Sequence, residues 1–285
     1  MAVKLVIDTC ADLTEKDLDS SVSILPIPVY IDGKEYIPFK NLSPEEFYPL
    51  QKQAKTSART SQVPFQLLYT TFKEAVKEGK EVVGLFMGSA HSGTFSSALL
   101  AKEQVKEELG SEAENKIFLV DSQNVTYPYA ALAFEGFKMM EQGVSGRNIA
   151  DRLAYLVPRI HMRAFIDDLS YLRKGGRISA AKSYFGNLLN FKVVIKTGNN
   201  LIAPTDTVRG MPNALRCIVL TALKEDIDYS LPSYIGFTYD QERAERLLEI
   251  TEKESPLRPA RMVSIGATVG AHVGPGSTGL CWFVK

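Results

Sequence analysis

Three short apolar runs, each followed by a polar turn and a helix-like pattern, constrain the fold of this chain more than any other feature. The runs are "VKLVID", "EVVGLFMG" and "KIFLVDS". Their lengths and β-branched residues are typical of buried strands, and the segments after them carry apolar residues at helical spacing. Because alternating strands and helices favour a parallel sheet covered by helices, residues 1–161 are predicted to form an N-terminal α/β domain.

Two local signals in this N-terminal part predict a hairpin and the start of a helix. Asp32 and Gly33 stand between two extended segments, and an Asp-Gly pair is typical of a two-residue hairpin turn. Ser43, Pro44 and Glu46 have the pattern of a capping box with proline at the first helical position. We therefore expect a hairpin at residue 32 and a helix from residue 44, followed by a hydroxyl-rich loop, "TSARTSQVP".

The second half of the chain, residues 162–285, has a different order of elements. "FKVVIKTGNNLIAPTDTVRG" predicts a hairpin, and "RMVSIGATVGAHVGPGSTGLCWFVK" predicts two strands joined by a glycine-rich bend. Helix patterns lie between these strand-like segments. We expect a second domain of the α+β type that begins near Met162.

The composition excludes several classes of protein. Lys plus Arg and Asp plus Glu both number 33, so no large charge imbalance favours nucleic acid or an anionic membrane as a main partner. The three cysteines, Cys10, Cys217 and Cys281, are far apart in sequence, which argues against a disulfide framework or a zinc ribbon and favours a reducing cytoplasm. No apolar run approaches the roughly 18 residues of a membrane-spanning helix, and no signal peptide is recognisable, so a soluble protein is expected.

Sequence motifs for common cofactors and nucleophiles are also missing. There is no P-loop pattern, no GxSxG pattern, and no His, Cys and Asp set with the spacing of metal ligands. We therefore expect neither a cofactor nor a metal. Ser92, Asp121 and His272 do occur in the chain order of one class of hydrolases, although order alone is weak support for a catalytic triad.

Small hydroxyl residues collect in "GSAHSGTF", residues 88–95, where a predicted strand leads into a predicted helix. Free N–H groups at a helix start can hold a phosphate or a carboxylate, and Ser92 and Thr94 would add hydroxyl donors. Gly93 would let a ligand approach the backbone closely. The alternative is an ordinary N-capped helix after a loose glycine loop.

Three further segments have both a functional and a structural interpretation. Thr60 and Ser61 in "RTSQVP" could donate to a ligand or cap the next helix, and His272 in "HVGPGSTG" could serve an acidic ligand or be structural. "YLRKGGRIS" contains Arg173 and Arg177; together with Arg209, these cations could form a docking surface or a solvated turn.

Together these segments resemble the DegV family of bacterial fatty-acid-binding proteins. The resemblance covers the whole chain and rests on "IDTCADLT", "TSQV", "SAHSGTFSSA", "VDS", "YLRKGGRIS" and "GAHVGPGSTG" in this order. It implies an N-terminal α/β domain that buries most of an acyl chain, and a C-terminal α/β domain with a largely antiparallel sheet. It also implies a carrier subunit, not an enzyme, that holds a long-chain fatty acid while a separate fatty-acid kinase phosphorylates the carboxylate.

The resemblance also implies roles for individual residues. Thr60 and Ser92 match the hydroxyls that bond the carboxylate, and His272 matches the histidine that completes this polar end. Ser61, Gly93 and Thr94 belong to the same ligand-binding segments, and the surface that meets the kinase is matched by Arg173, Arg177 and Arg209. The chain departs from the usual family pattern at Cys10, Gly88 and His91.

Two functions from other classes stay open on the sequence. One is an acyl hydrolase that uses Ser92 and His272 as nucleophile and base. The other is a regulator that binds a small anion or a nucleotide, for which a short and polar cavity would be expected.

Overall fold

The computed structural model describes residues 2–176, 191–198 and 200–285. The strands are β1 (Val3–Asp8), β2 (Val22–Leu25), β3 (Val29–Ile31), β4 (Lys34–Tyr36), β5 (Arg59–Thr60), β6 (Glu81–Phe86), β7 (Ile117–Asp121), β8 (Ile160–Ile166), β9 (Phe191–Gly198), β10 (Leu201–Arg209), β11 (Ser233–Phe237), β12 (Pro259–Ser264) and β13 (Thr278–Phe283). The α-helices are α1 (Pro44–Gln53), α2 (Phe65–Lys77), α3 (Thr94–Leu109), α4 (Ser111–Glu114), α5 (Thr126–Glu141), α6 (Gly146–Leu156), α7 (Leu169–Lys174), α8 (Met211–Ala222), α9 (Gln241–Glu254) and α10 (Ala267–Val273).

The first sheet is parallel, as the alternating pattern predicts. Its strand order is β2-β1-β6-β7, and every pair in it is parallel. The central strands are apolar in their middle parts because helices cover both faces of the sheet; Leu5, Val6 and Ile7 of β1 are completely buried. All four strands point the same way, so the loops that follow them meet at one edge of the sheet.

The second sheet has six strands in the order β10-β9-β8-β13-β11-β12. Its pairs are antiparallel except β11 with β12, so the largely antiparallel sheet implied by the family resemblance is confirmed. β9 and β10 form the predicted hairpin. Helices α8 and α9 cover one face, where Phe165, Leu280 and Trp282 are buried in a common core.

Helix α5 lies between the two sheets and fixes their relation. The ring of Tyr127 occupies the space where a Cβ of Gly236 would lie, and its hydroxyl occupies that of Gly279, so any side chain at these two strand positions would overlap it. Both glycines therefore make room for the helix against the second sheet. Leu132 and Ala133 of the same helix are completely buried.

A small sheet in the order β4-β3-β5 lies beside these two. The hairpin predicted at Asp32 and Gly33 is confirmed, and both residues have the positive φ of a type I′ turn. The predicted capping box is also confirmed, because Ser43 Oγ accepts from the N–H of Glu46 while Glu46 accepts from the N–H of Ser43. The predicted loop over residues 56–64 instead contains the two-residue strand β5.

The prediction of a plain glycine-rich bend between the last two strands was wrong. Helix α10 lies there, and residues 274–277, with positive φ at Gly274 and Gly276, form the turn into β13. Glycine lowers helix propensity, which is why the sequence favoured a bend. Packing nevertheless requires glycine in this helix, because a Cβ on Gly270 would lie 2.7 Å from Tyr48 Oη and 2.8 Å from the Phe47 ring.

Candidate functional site

A narrow slot lies at the carboxyl edge of the parallel sheet, between this edge and the second half of the chain. Its lining residues are Ile27, Thr60, Ser61, Met87, His91, Ser92, Val125, Leu172, Ile202, Thr268, Val269, His272 and Val273. The volume of the slot is about 500 Å³ including the open mouth. Seven of its thirteen lining residues are apolar.

The apolar walls come from the ends of strands and from elements that cover them. Ile27, Met87 and Val125 follow β2, β6 and β7, so they stand at the edge where the parallel strands end. Leu172 on α7 and Ile202 on β10 close the slot from the other side. Both halves of the chain thus contribute to one cavity, which is a common place for a ligand site.

A hydroxyl and an imidazole meet at the polar part of the slot. Thr60 Oγ1 lies 2.9 Å from Nε2 of His272, and either atom can be the donor, depending on the histidine tautomer. The small sheet brings Thr60 there, since β5 pairs with β3, and α10 brings His272 in its last turn. The ring of His272 lies against Gly175, where a Cβ would overlap it. The first glycine of the "YLRKGG" motif, Gly175, therefore leaves room for this histidine.

A second hydroxyl pair lies in the loop between β6 and α3. Ser92 Oγ is 3.0 Å from Thr94 Oγ1, and it also accepts from the N–H of Thr94 at 3.2 Å. Thr94 begins α3, is completely buried, and accepts from the N–H of Val63 at 3.2 Å. Thr94 therefore ties the "TSQV" segment to the start of the helix, and Ser92 is the member of the pair that lines the slot.

Gly93 makes room for a protein side chain. A Cβ at this position would overlap the side-chain oxygen of Gln62, whose amide nitrogen donates to Ser97 Oγ at 2.8 Å. Glycine is therefore required here for the close approach of the "TSQV" segment, whatever else the loop binds. Ser61 is exposed at the slot, and its hydroxyl donates to the carbonyl of Gln62 at 3.0 Å.

Four of the six ligand residues expected from the sequence line the slot: Thr60, Ser61, Ser92 and His272. Gly93 and Thr94 lie beside it and shape the loop. Sequence reasoning missed His91, Thr268 and the apolar lining residues. The sequence around the end of a buried strand does not show whether a residue there faces a cavity. The polar loops after the strands did indicate the correct edge of the sheet.

Two buried carboxyl groups lie behind the slot: Asp8 at the end of β1 and Asp12 in the loop that follows. Burial raises the pKa of Asp8 to about 7, against the opposing effect of hydrogen bonds from the N–H groups of Met87 and Cys10. Burial likewise raises the pKa of Asp12 to about 7, although its carboxylate accepts from the N–H of Gly266 at 2.8 Å. Near neutral pH both groups carry a proton for part of the time.

The fold agrees with the result of a comparison with known protein families. Residues 2–285 match the model of the DegV family. This chain belongs to the DegV family. A DegV domain-containing protein of Caldanaerobacter subterraneus is 28% identical to it over 282 residues, which are 98% of this chain and 97% of that protein.

Solved structures of other DegV proteins have the same fold over their full length. The fatty acid binding DegV family protein from Streptococcus agalactiae has a TM-score of 0.85 and 26% identity, with 100% of this chain and 99% of that chain covered. A DegV family protein from Thermus thermophilus, whose structure is described by its fatty acid binding, has a TM-score of 0.86 and 25% identity, with both chains fully covered.

Two of the three arginines of the predicted partner surface of this DegV chain are exposed. Arg173 is on α7, next to the slot residue Leu172, and Arg209 is the last residue of β10. Arg177 lies outside the described residues.

The described contacts do not build the serine hydrolase arrangement that the sequence left open. Ser92 Oγ is paired with Thr94, and Nε2 of His272 is paired with Thr60. Asp121 accepts from the N–H groups of Ser89 and Gln123 and from the side chain of Asn200. A triad needs the base to contact both the nucleophile and the acid, and these three residues have other partners.

Over residues 2–176, 191–198 and 200–285, no three side chains among His, Cys, Asp and Glu form a group that could hold a metal ion. Over the same residues, no helix combines the length and the apolar character needed to cross a bilayer.

Proposed function

We propose that this protein binds a long-chain fatty acid in the slot, with its carboxylate at Thr60, Ser92 and His272. The observation that carries the proposal is the pairing of Thr60 with His272 at 2.9 Å in a slot that seven apolar side chains also line. A cavity with both apolar and polar walls suits a linear apolar tail that ends in a small charged group. A short polar cavity, which a nucleotide or small anion would need, does not fit these walls.

The energetics favour such a ligand. Each buried methylene contributes about 0.8 kcal/mol, so roughly a dozen supply on the order of 10 kcal/mol before the costs of association. The carboxylate costs several kcal/mol if it is buried without partners. The hydroxyls of Thr60, Ser61 and Ser92 can donate to it, and His272 can do so from Nε2 in the matching tautomer or when protonated.

The related structures support the same ligand class. The proteins from Streptococcus agalactiae and Thermus thermophilus are both described as fatty acid binding, and they share this fold over their whole length. We also propose the roles that the resemblance implies for the two parts of the chain. Residues 1–161 bury most of the tail, and residues 162–285 supply His272 and a partner surface.

We also propose that the protein is a carrier and not the catalyst. A separate fatty-acid kinase would transfer the γ-phosphoryl group of ATP to the bound carboxylate, giving an acyl phosphate and ADP, in the cytoplasm. The exposed Ser61 and the partly exposed Ser92 and His272 leave the carboxylate end within reach of another protein. Arg173, Arg177 and Arg209 are the proposed contact surface for that kinase.

A titration with matched variants tests the ligand and its orientation. Delipidated protein is titrated with a long-chain fatty acid and with the alcohol of equal chain length. Ser92→Ala is expected to weaken binding of the acid about tenfold or more, because a hydrogen bond to a charged group contributes about 1.5–3 kcal/mol. Ser96→Ala, an exposed position in the first turn of α3, is the control and should bind like the wild type. Equal affinities of Ser92→Ala and wild type for the acid would contradict the assigned orientation.

A further inference from the structure

Thr9 lies behind the slot, and its hydroxyl joins two of the slot's walls. Thr9 Oγ1 accepts from the N–H of Ile27 at 3.0 Å and is 3.3 Å from Thr268 Oγ1. Ile27 and Thr268 line the slot, whereas Thr9 is only 3% exposed and does not. One buried hydroxyl therefore connects the segment after β2 with α10, and both of these carry residues that line the cavity.

Helix α10 transmits the position of Thr268 to His272. The two residues are four positions apart on α10, so they lie on the same face one turn apart. The residue before α10 is held as well, because the carboxylate of Asp12 accepts from the N–H of Gly266. The short loop that contains Thr9 and Asp12 thus contacts Thr268 in the first turn of α10 and Gly266 just before the helix.

Asp8, the residue just before this loop, contacts the segment that carries Ser92. The Oδ2 atom of Asp8 accepts from the N–H of Met87 at 3.1 Å, and Met87 begins the loop that carries Ser92. Asp8 is completely buried, and the hydroxyl of Tyr129 accepts from its N–H at 3.0 Å, so its backbone is fixed as well. Residues 8–12 therefore connect the Ser92 segment with the His272 segment from behind.

We propose that Thr9 is a positioning residue for the carboxylate end of the slot: its hydroxyl sets the place of α10 so that His272 meets Thr60. The proposal rests on the function proposed above, since it concerns how the same site is held. Without the hydroxyl of Thr9, Thr268 loses a buried partner and α10 can shift by a fraction of an ångström. Such a shift changes the distance between His272 and Thr60 while the apolar walls stay in place.

The test compares Thr9→Val, which keeps the shape and removes the hydroxyl, with Thr9→Ser, which keeps the hydroxyl. Affinity for a long-chain fatty acid and for the alcohol of equal length is measured at a temperature where each variant is folded. Thr9→Val is expected to weaken binding of the acid about tenfold, the order of one buried hydrogen bond. Affinity for the alcohol should change less than threefold, and Thr9→Ser should restore the affinity for the acid.

The outcomes separate the inference from the function on which it rests. If wild-type protein does not bind the fatty acid, the proposed function fails, and this inference fails with it. If wild type binds and Thr9→Val lowers only the melting temperature, with unchanged affinity for the acid, Thr9 is merely structural and the inference alone is overturned. Should the valine variant not fold, Thr9→Ala takes its place with the same expected loss. A Thr9→Ser protein that folds but binds as weakly as the valine variant would also overturn it.

Discussion

Thr60 Oγ1 and His272 Nε2 lie 2.9 Å apart although 212 positions separate them in the chain. Thr60 lies in the two-residue strand β5, and His272 lies in the last turn of the short helix α10. Their contact joins the N-terminal segments to the C-terminal segments at one point of the slot. It is therefore the point at which the proposed carboxylate site is most sensitive to substitution.

Replacement of His272 by alanine is expected to weaken fatty-acid binding about tenfold to a hundredfold. The loss follows because a donor to a charged group is removed and Thr60 loses its partner. The melting temperature should fall by only a few degrees, since His272 is only partly buried at the slot. Calorimetric titration with the acid and with its alcohol checks this. A fall of equal size for both ligands would show that His272 does not act on the carboxylate.

A larger side chain at position 202 should shorten the chain that the slot accepts. Ile202 is 7% exposed and lines the slot, whereas its neighbour Leu201 is 40% exposed and points to the other face of β10. Ile202→Phe is expected to lower the affinity for long acids more than for acids several carbons shorter. Leu201→Phe, the matched control, should leave the ranking of acids unchanged. The same ranking in both variants would mean that the tail does not pass Ile202.

Asp12 gives a prediction for the dependence of stability on pH. Its pKa is raised from an ordinary value of 3.8 to about 7 in the folded protein, so between these two pH values the folded state binds more protons than the unfolded state. The contribution of this group to stability is therefore greatest at low pH and is lost as the pH rises towards 7. Asp12→Asn cannot ionise, and asparagine tolerates the positive φ of this position.

The free energy of unfolding, measured by urea titration from pH 5 to pH 8, should therefore fall less steeply with pH in Asp12→Asn than in the wild type. At pH 8 the variant should be at least as stable as the wild type, because no buried charge remains at this position. Asp151→Asn, at an exposed position on α6, should follow the wild-type curve. Identical slopes for Asp12→Asn and wild type would contradict the assigned role of burial.

Charge reversal on the proposed partner surface should separate lipid binding from phosphorylation. Arg173→Glu is expected to bind fatty acid like the wild type, while formation of acyl phosphate by a bacterial fatty-acid kinase with ATP falls at least fivefold. The reason is that an acidic side chain repels the partner groups that an arginine attracts. Lys253→Glu, an exposed position at the end of α9, is the control. Equal loss in both variants would indicate an effect of net charge and not of this surface.

Much of the fold could be predicted because its signals are local. The apolar run of β1, the capping box at Ser43 and the turn at Asp32 each depend on a few neighbouring residues, and all three are confirmed. The helix α10 was missed because Gly270 is unfavourable for a helix in isolation and is required only by the approach of Tyr48.

The site was predicted less completely than the fold. Motif resemblance found Thr60, Ser92 and His272, which line the slot. Chemistry alone could not distinguish Thr94, which ties two segments together, from Ser92, which faces the cavity, since both are hydroxyls in one loop. The role proposed for Thr9 could not be predicted from the sequence, because its partners Ile27 and Thr268 are distant from it in the chain and contact it only after folding.

Native mass spectrometry of freshly purified protein from lipid-replete cells shows whether this chain carries a fatty acid. We predict a mass above that of the polypeptide by one long-chain fatty acid, which denaturing extraction then releases and identifies. A polypeptide that carries no acid under these conditions, and that also fails to take one up when titrated, would contradict the proposal that this protein binds a fatty acid.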